Sequence, residues 1–390
     1  MQENFDDFDI IDTPEKLRAF YDLNKDTDWM AFDTEFIGEK RFDTLLCLIQ
    51  AATEKGFFII DPIVLEDLGL FFDLIEDPKI LKITHAGEND YRILAQNWGV
   101  VPQNIFDTQL AAGFINYNYP ISYSKLVEKE LGGEINKSYA ATNWDMRPLK
   151  TKQLEYALTD VRYLHELYLN LRNKLISAGR YDWVKQELKS WQVFENYERD
   201  PYKDVITGSL IQGLNRRKQI LLLRLHRWRF EEAKRLNCSK ENVLPVKHIA
   251  PIVRAIDEGK QVLLESRIIS SRIIEQHWNT FKELYTRKPD EDELALLQKV
   301  SQAPKEDPIR DVCFELIHAL IKYESITQGI APQLVLNKSD ISNFELEEII
   351  STQDGDDWRA EFLGKTLITW LNARKQLKIE NVEDTIILSN

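Results

Sequence analysis

Cysteine is scarce in this sequence: among 390 residues the only thiols are Cys47, Cys238 and Cys313. They lie far apart and form no CxxC pair, which argues against both a disulfide framework and a zinc site of the usual spacing. Long apolar runs are missing as well. No stretch approaches the roughly 20 apolar residues needed to span a bilayer. The N-terminus, Met1–Asp12, is acidic and lacks the basic-then-apolar order of a secretory signal. Neither a membrane partner nor export is therefore expected, and the expected location is the cytoplasm. Basic residues are outnumbered: 50 Lys and Arg against 64 Asp and Glu leave a net charge of −14 and a pI of about 5.1. Taken alone, this deficit argues against a nucleic-acid partner, because phosphate binding runs on Lys and Arg. It does not decide the matter. Salt screens charges beyond about 8–10 Å, so local patches dominate, and carboxylates that hold metal also count as negative in the sum.

What is present is the composition of a folded protein, 43% hydrophobic and 29% charged. The length suffices for roughly two or three domains. The first half alternates strand-like and helix-like segments. Trp29–Phe36 is a β-rich apolar run, and Leu45–Thr53 and Gly56–Asp61 around the polar Glu54–Lys55 turn read as a hairpin. Leu65–Ile75 has helical spacing, Ile80–His85 reads as a strand and Asn89–Trp98 as a helix. Ile105–Phe106 is a short strand, after which Thr108–Phe114 opens another helix. Thr151–Ile176 reads as one long helix, capped by Thr151 and ending near Gly179. Hairpins followed by β–α alternation predict a mixed sheet with helices on its faces. From about Tyr197 the pattern turns helical. The expected division is an α/β domain over 1–195, a linker over 196–210, and helical domains over 211–288 and 291–378.

The acids of the first half fall into a pattern. Asp33 and Glu35 are two apart in a strand and share a face. Side by side on an apolar strand they repel one another and cost desolvation. A divalent cation relieves both costs, while a strand end that merely solvates them is the plain alternative. Tyr156 and Asp160 are four apart in a helix and share a face, an arrangement also common on solvated helices. Asp90 opens a helix, where an acid also serves as a dipole partner. His85 reads as a structural histidine, and Asp107–Thr108 as a helix cap.

The order and context of these residues are more specific than any one of them. The stretch FDTEF (Phe32–Phe36) resembles the first motif of the DEDD exonucleases. HAGENDYRIL (His85–Leu94) resembles the second, with its acid at Asp90, and YALTDVRYL (Tyr156–Leu164) the third, in the form with Tyr four residues before the last Asp. LCLIQ (Leu46–Gln50) and KSYAATNWDMRPL (Lys137–Leu149) also resemble the ribonuclease D family, and the likeness covers roughly residues 10–195. It implies a ribonuclease-H-like α/β exonuclease domain, a mixed sheet flanked by helices, with a two-metal site for Mg2+ or Mn2+. By that resemblance, Asp33, Glu35 and Asp160 hold the metal that activates water, Asp33 and Asp90 hold the second, and Tyr156 orients the attacking water. Two departures stand out. Asn143 replaces the acid of a common Thr-Asp-Trp, which leaves the catalytic set intact. Arg41–Leu45 is less aromatic than in the family, in a region expected near the terminal nucleotide.

Within the helical half, residues 214–235 carry eight Lys or Arg and two Glu, a local charge of +6. On a helical wheel Arg216, Arg217, Arg224, Arg227, Lys234 and Arg235 fall within an arc of about 100°. One face is thus expected to pack while the other meets phosphates, against the plain alternative of a solvated basic face. This stretch with Leu236–Val253, and Asp356–Leu371 further on, resembles the helicase-and-ribonuclease-D C-terminal (HRDC) domains, so two all-α domains of that kind are expected. The implied function is a 3′–5′ exoribonuclease that trims structured RNA such as tRNA precursors. A 3′–5′ exonuclease on single-stranded DNA and a non-catalytic RNA-binding scaffold are the alternatives, and clustered acids have no purpose in the scaffold.

Overall fold

The computed structural model describes residues 8–135, 142–300, 308–335, 358–359, 361–363, 378–382 and 385–389. The chain divides into two compact units, one formed by 1–35, 46–196 and 307–390, the other by 36–45 and 197–306.

In the first unit the chain runs β1 (Asp9–Ile11), α1 (Pro14–Asn24), β2 (Trp29–Ile37), β3 (Leu45–Thr53), β4 (Gly56–Ile60), α2 (Gly69–Glu76), β5 (Leu81–Thr84), α3 (Glu88–Trp98), β6 (Ile105–Asp107), α4 (Thr108–Ala112), α5 (Tyr123–Leu131), α6 (Thr151–Arg162), α7 (Leu164–Ser177) and α8 (Tyr181–Lys189). The six-stranded sheet has the order β1-β4-β3-β2-β5-β6. The β3–β4 hairpin is antiparallel, with Thr53 opposite Gly56, whereas β1–β4, β2–β5 and β5–β6 are parallel. It is thus the mixed sheet the alternation predicts. One face is closed by Val161 and Leu164 of α6 and α7 against Ala31, Ala52 and Ile83. On the other face Phe32 meets Phe71 of α2 and Tyr91 of α3.

The long helix expected over Thr151–Ile176 is two helices. It breaks at Tyr163, whose φ of −102° and ψ of 0° leave the helical region. Thr151 is the first helical residue and not the cap; Lys150 takes that place, its N–H donating to Gln153 Oε1 at 3.0 Å.

The second unit contains α9 (Lys203–Thr207), α10 (Ser209–Gln212), α11 (Arg216–Leu236), α12 (Lys240–Val243), α13 (Val246–Ala255), α14 (Lys260–Ser266), α15 (Ser271–Thr286) and α16 (Glu291–Gln298). The stretch 196–210, expected as a linker, carries α9 and the start of α10, and Val205 of α9 enters the same core as Leu221, Leu225, Ile252 and Phe281. Likewise α16, expected to open the second helical domain, belongs to this unit. The β2–β3 turn joins it too, with Ser239 N–H donating to Lys40 O and Asp43 N–H to Asn237 Oδ1, both at 3.0 Å. Beyond it come α17 (Pro308–Thr327), α18 (Pro332–Val335) and a hairpin of β7 (Lys378–Val382) and β8 (Thr385–Ser389), all grouped with the first unit. Most of 291–378 after α16, and Lys137–Ala141 of the connecting motif, lie outside the described residues. No described helix is long and apolar enough to cross a membrane.

The basic arc on α11 is not a continuous face. Every residue from Ile220 to Leu225 is buried, including Arg224, because this middle stretch is apolar on every side except at Arg224 and so packs all round. Arg224 is 3% exposed and its guanidinium grips Glu293 of α16 with two bonds of 2.6 Å, while also donating to the carbonyls of Leu284, Arg287 and Lys288. It is a structural ion pair, unavailable to phosphate. Arg216, Arg217, Lys234 and Arg235 remain exposed near the two ends of the helix, and Arg227 near its middle. Of these, Arg217 stacks on Tyr285 at 4.2 Å, and Arg235 pairs with Glu232 at 2.5 Å.

Candidate active site

Strand β2 carries the first two acids. Alternation puts Asp33 and Glu35 on the face of Ala31, toward α6. β5 pairs with β2 as far as Ala31 and ends at Thr84. Residues 33–35 therefore overhang it, and Asp90 in the first turn of α3 fills the space beyond. Asp90 is 6% exposed and accepts a hydrogen bond from Thr34 Oγ1 on the opposite face of the same strand. Asp160 on α6 accepts a hydrogen bond from Tyr156 one turn earlier.

These acids act on one another. Burial raises Asp33 well above the usual carboxylate range, and the charge of Asp160 adds to it. Burial and the charges of Asp33, Asp160 and Asp90 push Glu35 up to about 9. Asp90 is raised by burial and by Asp33, and Asp160 is raised by burial to about 7. The structure thus brings together all four acids and Tyr156, five residues that the sequence separates by more than 120 positions.

Around them stands a scaffold that the motifs do not reveal. Asp107 is fully buried and raised by burial to about 6. It caps α4 through Leu110 N–H at 2.8 Å, as expected, and also accepts from Gly87 N–H at 2.9 Å and Thr84 Oγ1 at 3.2 Å, fixing the turn that delivers Asp90. That turn tolerates no side chain at Gly87, where a Cβ would lie 2.5 Å from Thr84 Oγ1. His85 is structural, held between Thr108 Oγ1 at 2.9 Å and Ile121 O at 3.0 Å, and burial lowers it to about 4. Trp144 lies 6.1 Å from the Tyr156 ring. Its loop is anchored by Arg147, which grips Asp61 at 2.6 and 2.7 Å and donates to Cys47 O and Trp144 O at 2.8 Å. Asn143 is exposed, so the lost acid sits outside the cluster.

The donor set fits a hard divalent cation. Among the described residues no group of three or more His, Cys, Asp or Glu side chains is gathered tightly enough to hold an ion by itself. A cation such as Mg2+ does not ask for such a group, since it keeps several waters and takes substrate phosphate oxygens alongside carboxylates. The mutual repulsion of the acids is the stronger guide, because added positive charge relieves it.

This repulsion has a measurable consequence in metal-free protein. Burial and the neighbouring acids push Glu35 up to about 9 in the folded chain, from an ordinary 4.5. Between those values the folded state keeps a proton that the unfolded chain has released, so stability falls as pH rises through that window. The melting temperature of metal-free wild type is expected to fall more steeply between pH 5 and 9 than that of Glu35→Gln. Parallel curves would contradict the assignment.

A sheet overhang that gathers four carboxylates and a tyrosine, built on β2, α3 and α6, defines a 3′–5′ exonuclease domain, and residues 8–176 match the family model for 3′–5′ exonucleases. The chain is 31% identical over 356 residues to a ribonuclease D of Bartonella henselae, covering 87% of this chain and 84% of that one. It is 32% identical over 369 residues to a ribonuclease D of Desulfotalea psychrophila, covering 91% and 96%. The chain belongs to the ribonuclease D family and is a 3′–5′ exoribonuclease. The crystal structure of Escherichia coli RNase D, described as an exoribonuclease involved in structured RNA processing, shares the fold with a TM-score of 0.80 at 24% identity, over 95% of this chain and all of that one.

Proposed function

We propose that Asp33, Glu35 and Asp160 hold one divalent ion and Asp33 and Asp90 a second, Mg2+ or Mn2+, for hydrolysis of the 3′-terminal phosphodiester of structured RNA such as tRNA precursors. The observation that carries this reading is that the charges raising Asp33, Glu35 and Asp90 come from other acids. When bound, such ions lower the pKa of water and stabilise charge on the attacking and leaving oxygens. The chain's own residues do the rest. Tyr156, hydrogen-bonded to Asp160, orients the attacking water, and Trp144 and the Arg147–Asp61 clamp keep its ring in place. The enzyme is read as cytoplasmic, the compartment that fits processing of tRNA precursors. Residues 1–195 are read as the exonuclease domain and, after a connection over 196–210, residues 211–288 and 291–378 as the two HRDC-like helical domains. The test is digestion of a 5′-labelled oligoribonucleotide: a ladder shortening from the 3′ end with Mg2+ or Mn2+, and none in excess chelator. Undiminished digestion in chelator contradicts the metal assignment.

Tyr156→Phe is expected to lower kcat by about 10²–10⁴-fold, the usual cost of losing a positioned donor or general acid–base group, with KM little changed. An unchanged kcat would return Tyr156 to an ordinary helix face.

The exposed basic side chains of α11 serve to hold the RNA body. Arg216 and Lys234 lie on one line of the helix, about 27 Å apart at 1.5 Å per residue. Arg216→Ala with Lys234→Ala is expected to weaken binding of a long structured RNA and to flatten its log–log salt slope by roughly 0.7–0.9 per lost contact. A short oligonucleotide should be cut as before. An unchanged slope would remove this helix as the RNA handle.

A further inference from the structure

The break between α6 and α7 falls in the turn that carries Asp160, and neither glycine nor proline causes it. Its cause is a side chain from a distant segment. Tyr123, the first residue of α5, places its phenol oxygen 3.1 Å from Thr159 O, to which it donates, and 3.2 Å from Tyr163 N, from which it accepts. In an unbroken helix the N–H of residue 163 would donate directly to the carbonyl of residue 159. The phenol is inserted into that one bond, and a polar group inserted into the i→i−4 ladder is a recognised cause of a sharp break. The turn it opens is bounded by Thr159 and Tyr163 and contains Asp160.

The phenol is itself well held. Its ring packs among Ala31, Ala52, Ile83, Val161 and Leu164, and meets the His85 ring edge-on at 5.4 Å. His85 is in turn fixed by Thr108 and Ile121. The carboxylates of Asp160 and Asp33 lie close enough to Tyr123 for their charges to act on its phenol. Tyr123 therefore stands between the segment that delivers Asp90 and the helix that delivers Asp160, and touches neither carboxylate through a hydrogen bond of its own.

We propose that Tyr123 is a positioning residue, whose phenol holds the α6–α7 break open and thereby sets the direction in which Asp160 presents its carboxylate to a divalent ion. The proposal rests on the reading of Asp160 as a metal ligand. A phenol is needed because the position requires a donor and an acceptor on one atom. Phenylalanine offers neither, and lets Tyr163 N–H close on Thr159 O, turning the Asp160 segment back into regular helix.

The experiment is Mn2+ titration of metal-free protein by calorimetry, for wild type, Tyr123→Phe and Asp160→Asn, with thermal unfolding of each. Removing an outer-shell partner of a metal ligand typically costs 10–100-fold in affinity, so Tyr123→Phe is expected to bind Mn2+ about 10–100-fold more weakly while unfolding cooperatively. At saturating Mn2+ its kcat on a short oligoribonucleotide should fall and its KM stay within about twofold. A crystal structure of the variant should show helix continuous from Thr159 to Tyr163. If Tyr123→Phe binds Mn2+ like wild type while Asp160→Asn does not, the positioning role is overturned and the metal reading stands. If Asp160→Asn also binds like wild type, the metal reading itself is lost. Loss of cooperative unfolding in Tyr123→Phe, or an Asp160 segment unmoved in its crystal structure, would make Tyr123 a core residue only and overturn the proposal.

Discussion

Asp33→Asn and Asp160→Asn proteins are expected to fold normally and to lose RNA hydrolysis by at least about 10³-fold. The loss follows from the geometry. Asp33 is the acid whose charge acts on both Glu35 and Asp90, so it belongs to both proposed ion sites. Metal ions contribute several kcal/mol of transition-state charge stabilisation, and each 1.4 kcal/mol or so is tenfold in rate. The fold should not suffer, because each change removes a carboxylate that burial and neighbouring acids oppose. Metal-free variants are expected to melt at or above the wild-type temperature, the increase being larger at pH 8 than at pH 5. Single-turnover rates and melting curves on the same preparations test this. Wild-type rates in either variant would place the chemistry elsewhere, and a large fall in melting temperature would show that the acids support the fold.

Arg224→Ala is expected to be among the most destabilising single substitutions in the helical unit, by about 3–5 kcal/mol, the usual cost of removing one partner of a buried ion pair. Its guanidinium is 3% exposed and its partner Glu293 4%. Alanine leaves Glu293 with Arg287 at 2.8 Å as its remaining cationic partner, and strips donors from the carbonyls of Leu284, Arg287 and Lys288. Arg216→Ala, at an exposed position, should change stability by no more than about 0.5 kcal/mol. Replacing both partners, as in Arg224→Met with Glu293→Leu, should recover much of the loss, since an apolar pair of similar volume removes the stranded charge. Urea unfolding of the three proteins decides it. An Arg224→Ala protein of wild-type stability that bound RNA weakly would restore the phosphate-contact reading.

The exonuclease motifs are legible in the sequence through the order and context of the acids, which carry the family resemblance, whereas periodicity by itself also fits plain solvated faces. Asp33 and Glu35 alternate with buried Phe32 and Thr34, and Tyr156 and Asp160 share a helix face. What the sequence hides are contacts across long separations. The break at Tyr163 is made by a side chain 40 residues earlier, in a segment with every local mark of a continuous helix. The burial of Arg224 depends on Glu293, 69 residues later. A helical wheel assigns a charged arc to solvent and has no means of registering a partner that arrives from another helix. Val205 lies in a stretch that Pro201 and Gly208 mark as linker, and its place in the helical core is seen only in three dimensions. Thr34 and Asp107 are ordinary strand and cap residues by pattern, and their bonds to Asp90 and to the Gly87 turn exist only in three dimensions.

The central claim is a metal-dependent 3′–5′ exoribonuclease, and matched RNA and DNA oligonucleotides test it most directly. Each is labelled at the 5′ end, carries the same sequence and is digested side by side by the full chain in Mg2+ or Mn2+, with and without chelator. The RNA is expected to shorten stepwise from its 3′ end, faster than the DNA, and chelation to stop it. Faster digestion of the DNA, internal cleavage, or digestion that survives the chelator would contradict it.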